Sequence, residues 1–321
     1  MARKLKIGFT YGDPSSIGPE ILLNTLLSWD YLEILPILIG DKNVLCSYKK
    51  SSLGRLNVLE EEKVVFKENV NPGKPNINTG KHAYECMVKS VDLIKNKKID
   101  ALVTGPVSKS ITSLSYPNFK GQTDALAKLL DIKNDKSIMT FIERDLRIAL
   151  YTRHIPIRDV PSNLTSKDLI AFVELLIQEH KYHFKRSKKI KIGILGLNPH
   201  AGEDGLIGCE ELAVFPSVLK TLRAKKIDII GPLSPDATLA ECGRRYLNNQ
   251  QQKYDFLISM YHDQCLPMFK AVTGLRGLNV TLGLPILRVS PDHGTAFDIA
   301  GKNIASNEGI VSSIEFLRNL R

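Results

Sequence analysis

The chain has 321 residues, of which 43% are hydrophobic and 24% are charged, and these proportions are ordinary for a globular protein. Its formal net charge is +10, but lysine and arginine are scattered, which favours solvated surfaces over a nucleic-acid-binding patch. No apolar run reaches about 18 residues and no signal peptide is apparent, so we expect neither a membrane span nor secretion. Five cysteines without a C-x-x-C pair favour a reducing compartment over a disulfide framework, and we expect a cytoplasmic protein.

Short apolar, β-branched runs alternate with helical patterns along the whole chain. The predicted strands are 5–12, 33–40, 63–68, 100–106, 137–143, 146–152, 189–197, 255–261 and 278–290, and the predicted helices are 17–29, 79–97, 123–131, 165–184, 209–225 and 293–303. This alternation is typical of an α/β fold with a mainly parallel sheet. Only a few residues separate 137–143 from 146–152, which predicts an antiparallel hairpin. The chain length favours two lobes around a cleft over a single core.

Three of the predicted strands are each followed by a histidine. His154, His200 and His262 come just after the strands 146–152, 189–197 and 255–261. In an open α/β sheet, ligands bind at the carboxyl ends of the strands. Three imidazoles there would suit a divalent metal such as Zn²⁺ or Co²⁺. The alternative for each one is a loop histidine held by hydrogen bonds, because no short-range motif links the three.

The other histidines do not share this placement. His82, His180 and His183 do not follow a predicted strand, and His293 stands at the start of the predicted helix 293–303, where a capping role competes with a functional one. Two further segments, 11–21 and 104–110 with Lys109, lead from a strand into a helix. Their backbone amides could bind an anion, although a simple strand-to-helix turn explains them equally well.

Several polar residues point to an anionic substrate. Gln122 and Thr123 lie at a predicted helix start, where Thr123 is also a candidate N-cap. Lys270, Asn279 and Arg288 lie inside or beside apolar runs. A buried Arg288 would need a partner, either a substrate carboxylate or phosphate or a carboxylate of the protein itself. No G-x-G-x-x-G motif is present, so the nucleotide-binding residues are not assigned.

Seven segments, in their order and spacing, resemble the 4-hydroxythreonine-4-phosphate dehydrogenase (PdxA) family of vitamin B6 biosynthesis. They are GDPSSIGPEI, TGPVSK, GQTD, GLNPHAGEDGLIGCEE, GPLSPD, MYHDQCLPMFK and LNVTLGLPILRVSPDHGTAFDIAG. The resemblance implies an isocitrate/isopropylmalate-dehydrogenase-like fold, with two α/β/α lobes around a central cleft, in a homodimer. One lobe would comprise 1–120 with 284–321. The other, 121–283, would carry the metal and substrate residues and the dimer interface.

The resemblance also implies a chemistry. A divalent metal (Zn, Mg or Co) would be held by three histidines drawn from both subunits, and NAD or NADP would be the oxidant. The family's metal positions fall on His154, His200 and His262, and its substrate positions fall on Gln122, Thr123, Lys270, Asn279 and Arg288. The reaction would oxidise 4-phosphooxy-L-threonine to 2-amino-3-oxo-4-phosphooxybutanoate, which decarboxylates to 3-amino-2-oxopropyl phosphate. Asp236 or Asp263 would act as the base or orient a metal ligand.

The sequence departs from the family pattern at two positions. Gln122 stands where histidine is familiar, so a cationic contact is lost, and Cys265 replaces a familiar glycine. Because of the first departure, a second activity remains as an alternative. The chain would then be a related dehydrogenase that acts on four-carbon sugar-acid phosphates, such as threonate or erythronate 4-phosphate. From other classes, a metal-dependent hydrolase and a noncatalytic protein that binds phosphorylated metabolites also remain as alternatives.

Overall fold

The computed structural model describes residues 3–30, 32–49, 59–133, 136–184 and 189–320. The described strands are β1 (Leu5–Thr10), β2 (Ile34–Gly40), β3 (Glu60–Lys63), β4 (Ala101–Thr104), β5 (Ile138–Glu143), β6 (Leu146–Leu150), β7 (Lys191–Leu195), β8 (Asp228–Leu233), β9 (Phe256–Ser259), β10 (Leu278–Leu282) and β11 (Leu287–Pro291). The described helices are α1 (Gly18–Ser28), α2 (Lys42–Tyr48), α3 (Ile77–Lys95), α4 (Lys109–Ser115), α5 (Gln122–Leu129), α6 (Val160–Asn163), α7 (Ser166–Phe184), α8 (Glu210–Ala224), α9 (Pro235–Leu247), α10 (His262–Thr273) and α11 (Glu308–Asn319). Within these ranges, no helix is both long enough and apolar enough to cross a bilayer.

The chain divides into two compact units. Unit 1 comprises Met1–Ser137 with Leu278–Arg321, and unit 2 comprises Ile138–Gly277. The lobes expected from the sequence would place α5 and β10 with unit 2, but both belong to unit 1. Leu126 of α5 packs in the core that contains Met87 of α3, and β10 pairs with β11.

Unit 1 contains a six-stranded part of the sheet in the order β3-β2-β1-β4-β11-β10. Neighbouring strands are parallel except for β10 and β11, which are antiparallel. All four side chains of β4 are buried, as expected for a parallel strand that is covered on both faces. Asn76 is the N-cap of α3, and its side chain accepts hydrogen bonds from the N–H groups of Asn78 and Thr79.

Unit 2 contains the strands β5-β6-β9-β7-β8, in that order. β5 and β6 form an antiparallel pair with Phe141 opposite Ile148, whereas β6, β9, β7 and β8 are parallel to their neighbours. Phe141, Leu257 and Phe269 pack in the core of this unit. The expected α/β fold, with mainly parallel pairing and a hairpin over 137–152, is therefore confirmed.

Several elements differ from the sequence predictions. The run 278–290 forms two antiparallel strands instead of one, because the chain turns at Gly283, where φ is +85°. The segment 293–303 is not helical, and Ala296 and Gly301 in it have positive φ. The strand predicted at 63–68 lies earlier, at Glu60–Lys63. β8 was not predicted, and neither were α2, α4, α6, α9, α10 and α11.

Candidate functional site

The three candidate metal ligands emerge from neighbouring strands of unit 2. His154 follows β6, His262 follows β9 and His200 follows β7. β9 lies between β6 and β7, and all three strands run parallel. Parallel strands end at the same edge of a sheet, so the fold brings the three segments that carry the histidines to one edge.

His154 and His262 lie side by side in the same chain. Their ring centroids are 5.7 Å apart, with an angle of 42° between the planes. His262 is the first residue of α10, and the edge of the Phe141 ring lies 6.3 Å away, centroid to centroid. The Nδ1 atom of His262 is 2.6 Å from Oδ1 of Asp263. This contact engages Nδ1 and leaves Nε2 of His262 as the nitrogen that can bind a metal.

His200 is paired with a different carboxylate. Its Nδ1 atom lies 4.0 Å from Oδ2 of Asp236, and both side chains are exposed. Asp236 stands in the first turn of α9, just after β8. The hydrogen bond from the Ser234 hydroxyl, at 2.5 Å, is the main cause that lowers the pKa of Asp236, and the Ala237 N–H and His200 contribute less. Asp236 is therefore suited to hold a neighbouring imidazole in place and is a weak candidate for a general base.

The backbone that carries His200 is unusual. From His200 to Asp204, five consecutive residues have positive φ, between 44° and 84°. A left-handed conformation costs about 1–2 kcal/mol for each residue other than glycine. The buried Glu211 braces this segment, because its carboxylate accepts from the backbone N–H of Asn198 at 2.8 Å and from Nδ2 of Asn198 at 2.9 Å. Strain that neighbouring contacts hold in this way is common at functional sites.

The two parts of the histidine set remain separate. Across the part of the chain that the structure describes, no three His, Cys, Asp or Glu side chains converge on one position that would suit a metal ion. His154 and His262 lie together, and His200 lies beside Asp236 instead. Among the described residues, the three predicted histidines therefore do not form a common metal site within one chain.

Unit 1 contains a buried cation, Arg288, on β11. This residue is 3% exposed, and its Nε and Nη2 atoms donate to the Thr104 hydroxyl at 2.9 and 2.7 Å. Among the described residues, no carboxylate pairs with it. Burial lowers the pKa of Arg288 to about 10, so the side chain is still a cation at neutral pH. Such a charge is costly unless an anion pairs with it. The protein carboxylate considered as an alternative partner is not found in the described chain.

Other candidate substrate residues lie on the same face of the sheet as Arg288. Asn279 is opposite Ser290, and Thr281 is opposite Arg288, in the β10–β11 pair. The buried Thr123 has its hydroxyl oxygen 3.5 Å from that of Thr281. Asn279 Oδ1 is buried and has no hydrogen-bond donor within the described residues. This face therefore combines a cation with hydroxyl and amide groups.

Gln122 is the first residue of α5 and supports the helix start. Its Nε2 atom donates to the Gly105 carbonyl at 3.0 Å, while Oε1 is buried without a donor within the described residues. The atom left for a ligand is therefore an acceptor. Lys270 is exposed and lies in the last turn of α10, in unit 2. Cys265 is buried in α10, and burial raises the pKa of its thiol to about 12, so the thiol is unreactive.

Two buried titratable groups of unit 1 were not identified from the sequence as electrostatically unusual. The Asp13 carboxylate accepts from the Ser15 N–H at 2.8 Å and from the Thr79 hydroxyl at 3.1 Å, and burial raises its pKa to about 6. His82 Nε2 lies 2.7 Å from the Tyr11 hydroxyl, and burial lowers the pKa of His82 to about 4. Thr104, Asn198 and Glu211 were also not predicted as site residues, although all three lie within the TGPVSK and GLNPHAGEDGLIGCEE segments.

The chain has close relatives of known name. Residues 32–317 match the family described as "PdxA: Pyridoxal phosphate biosynthetic protein PdxA". The 4-hydroxythreonine-4-phosphate dehydrogenase of Sulfurihydrogenibium sp. (strain YO3AOP1) is 38% identical, over 97% of each chain. The putative D-threonate 4-phosphate dehydrogenase of Fusobacterium nucleatum is 31% identical, over 97% of this chain and 96% of its own. The crystal structure of 4-hydroxythreonine-4-phosphate dehydrogenase from Klebsiella pneumoniae superposes with a TM-score of 0.82, at 26% identity, over 99% of this chain and 98% of that one.

Proposed function

Because the chain belongs to the PdxA family of pyridoxal phosphate biosynthetic proteins, as its motifs predicted, we propose that it is a dehydrogenase of 4-phosphooxy-L-threonine. The oxidised product, 2-amino-3-oxo-4-phosphooxybutanoate, is a β-keto acid that loses CO₂ to give 3-amino-2-oxopropyl phosphate. The main observation behind this proposal is that the segments with His154, His262 and His200 follow three adjacent parallel strands, at the same edge of the sheet. We also propose that the protein acts in a reducing cytoplasm, with which its free cysteines agree.

The three histidines fit a divalent metal ion by their chemistry. With Nδ1 of His262 engaged by Asp263, and with Asp236 beside Nδ1 of His200, both rings keep Nε2 for coordination. Imidazole nitrogen suits Zn²⁺ or Co²⁺, whereas Mg²⁺ prefers oxygen ligands. When bound, the metal would act as a Lewis acid that lowers the pKa of the substrate hydroxyl. NAD or NADP would accept the hydride.

A second copy of the chain would complete the ligand set. The pair His154–His262 belongs to one chain, and the separate His200 would serve the site of the partner. Exposed apolar side chains follow two of these histidines: Ile155 and Ile157 after His154, and Leu206 after His200. Apolar groups at these positions suit a homodimer interface that closes around the metal.

The roles of the remaining residues follow from their charge and hydrogen-bonding capacity. Arg288 binds an anionic group of the substrate, because it is a buried cation without a carboxylate partner in the described chain. Gln122 and Asn279 each keep a buried oxygen without a donor, so they accept from an ammonium or hydroxyl group. Thr123 supports this face. Lys270, a cation in the last turn of α10, is also proposed as a substrate-binding residue. Asp236 and Asp263 orient the imidazoles beside them.

The related oxidation of threonate or erythronate 4-phosphate is the second candidate. It is compatible with Gln122, and it is favoured by the Fusobacterium relative named for D-threonate 4-phosphate. A hydroxyl takes the place of the ammonium group in these acids, and the buried Oε1 of Gln122 accepts from either one. We do not propose the hydrolase or the noncatalytic binding protein, because the full-length relatives reported above are named dehydrogenases.

A substrate panel tests the proposal. Each four-carbon phosphorylated acid is assayed with NAD and with NADP, before and after removal of metal with a chelator, and reduced cofactor is followed by absorbance. We expect the highest kcat/KM for 4-phosphooxy-L-threonine, with activity that is lost on chelation and restored by Zn²⁺ or Co²⁺. A higher kcat/KM for threonate 4-phosphate would establish the second candidate. Failure to oxidise every acid in the panel would refute both.

A further inference from the structure

We propose that Gln264 is a positioning residue, which holds the three segments that carry the candidate metal ligands at fixed positions relative to one another. This inference rests on the proposed function, since Gln264 would act through the histidines of the proposed metal site. Gln264 is the third residue of α10, two positions after His262, and it is partly buried. Its side-chain amide is hydrogen-bonded at both ends, to two different strand ends of unit 2.

The first two strand ends are those of β9 and β7. Oε1 of Gln264 accepts from the backbone N–H of Met260 at 2.8 Å and from the Ser259 hydroxyl at 2.9 Å, at the end of β9. Nε2 donates to the carbonyl of Gly196, just after β7, at 2.7 Å. A backbone N–H only donates and a backbone carbonyl only accepts, so these partners fix the orientation of the amide. The side chain therefore connects the segment of His262 to the end of the strand that precedes His200.

The same network reaches the segment of His154. The Met260 carbonyl accepts from the backbone N–H of Thr152 at 3.1 Å and from the Thr152 hydroxyl at 2.6 Å. Thr152 is buried and lies two residues before His154. Met260 thus bonds to Gln264 through its N–H and to Thr152 through its carbonyl, so the ends of β6, β9 and β7 are joined in one network.

Gly196 is packed against the turn that carries His200. A Cβ atom placed on Gly196 would lie 2.8 Å from Cα of Ala201 and 3.1 Å from Oε1 of Glu211. Ala201 is the neighbour of His200 in the chain, and Glu211 is the carboxylate that braces the left-handed run. Because the contact is this close, a shift of the Gly196 peptide would also shift the backbone of the His200 turn.

A purely local role for Gln264 would be to support the start of α10. A glutamine at the third helical position commonly accepts from the backbone N–H of the N-cap residue. The N-cap of α10 is Tyr261, but Oε1 accepts from the preceding residue, Met260. The bond to Gly196 leads to another strand and does not satisfy any backbone group of α10. Since His262 and His200 would serve different metal sites of the homodimer, Gln264 would connect the two sites.

The experiment measures metal binding and not turnover. The Kd for Zn²⁺ is determined on the metal-free protein by competition with a chromophoric chelator, without substrate or NAD(P), and the visible absorption spectrum is recorded with Co²⁺. Gln264→Met keeps the length of the side chain but removes its three hydrogen bonds. We expect its Kd for Zn²⁺ to rise about 10- to 100-fold, as for other residues that orient metal ligands.

A second variant isolates the link to β7. Gln264→Glu keeps an acceptor for Met260 and Ser259, but an ionised carboxylate cannot donate to the Gly196 carbonyl. We expect an altered Co²⁺ spectrum, with a smaller loss of Zn²⁺ affinity than in Gln264→Met. If Gln264→Met does not fold, the spectrum of Gln264→Glu decides alone.

Gln252→Met is the matched control. Gln252 is also partly buried in unit 2, and its Nε2 atom donates to the backbone carbonyl of Cys242 at 3.1 Å. It precedes β9, at the end of the strand opposite to His262. This variant should leave the Kd for Zn²⁺ and the Co²⁺ spectrum unchanged, even where it lowers the melting temperature.

Three results would overturn the proposal. They are an unchanged Kd and spectrum in the Gln264 variants, an equal loss of metal affinity in Gln252→Met, and a wild-type protein that binds neither ion. Turnover of the wild type with the panel of acids is measured separately. A wild type that binds Zn²⁺ but oxidises no acid would refute the proposed function and leave the role of Gln264 standing.

Discussion

Replacing Arg288 by methionine should separate stability from substrate binding. Burial lowers the pKa of Arg288 from 12.5 to about 10, which corresponds to about 3 kcal/mol of lost solvation for the cation. Both values lie above pH 7, so the whole penalty is present at neutral pH and declines only as the pH rises through about 10. Two hydrogen bonds to Thr104, worth about 1 kcal/mol each, offset part of this desolvation penalty. Without ligand, we therefore expect Arg288→Met to be as stable as the wild type, or more stable by about 1 kcal/mol.

The same substitution should impair the reaction strongly. Removing one partner of a buried charge pair costs about 2–5 kcal/mol, so kcat/KM should fall roughly 30- to 5,000-fold. Urea unfolding of both proteins, with and without 4-phosphooxy-L-threonine, measures the stability and its increase on binding. The increase should be present in the wild type and nearly absent in Arg288→Met. Arg288→Lys is the control, since it keeps the charge but loses the planar fork, and its kcat/KM should be intermediate. A strongly destabilised Arg288→Met with normal kcat/KM would show that the residue is purely structural.

His200→Ala should lose bound metal and turnover with little change in melting temperature, because the His200 side chain is exposed; metal analysis that finds normal stoichiometry would contradict the assignment. Mixing His200→Ala with His262→Ala should restore part of the activity through hybrid dimers with one intact site, whereas a mixture of His154→Ala with His262→Ala should stay inactive, because those two rings lie in one chain. Burial raises the pKa of Asp13 to about 6, so Asp13 stabilises the folded state most at low pH. Its contribution to the free energy of unfolding declines by about 3 kcal/mol as the pH rises from about 4 to 6. Relative to the wild type, Asp13→Asn should therefore gain stability over this interval in urea titrations, and an unchanged difference would refute it. His82, whose pKa is lowered to about 4, has the opposite effect. Its contribution to the free energy of unfolding is present above pH 6.5 and declines as the pH falls toward 4. His82→Gln should remove this pH dependence.

Those parts of the candidate site that depend on local patterns could be predicted from the sequence. An apolar run followed by a histidine is a local signal, and it identified His154, His200 and His262 with the strands that precede them. The order β6-β9-β7 is not a local property, because β9 follows β7 in the chain yet lies between β6 and β7 in the sheet. The pairing of His154 with His262 follows from that order, so the sequence could not indicate it.

Other features depend on interactions that a pattern of residue types does not encode. The left-handed run at His200 uses non-glycine residues in a conformation that their propensities disfavour, and the distant Glu211 stabilises it. The start of α10 at His262 was hidden because Pro267 interrupts its helical pattern. Gln122 attracted attention as an unusual residue type, but only the structure shows that its amide nitrogen is engaged by Gly105.

The left-handed run also determines how readily this part of the protein can be redesigned. An inserted or deleted residue between His200 and Asp204 would change the direction of the His200 imidazole, because these five residues all turn in the direction opposite to an ordinary helix. β-Branched side chains at Ala201, Glu203 or Asp204 would clash with their own backbone, whereas asparagine or glycine would be accepted. A mutant library aimed at metal preference would therefore yield more folded members if it varied the segment around His154 and left this turn intact.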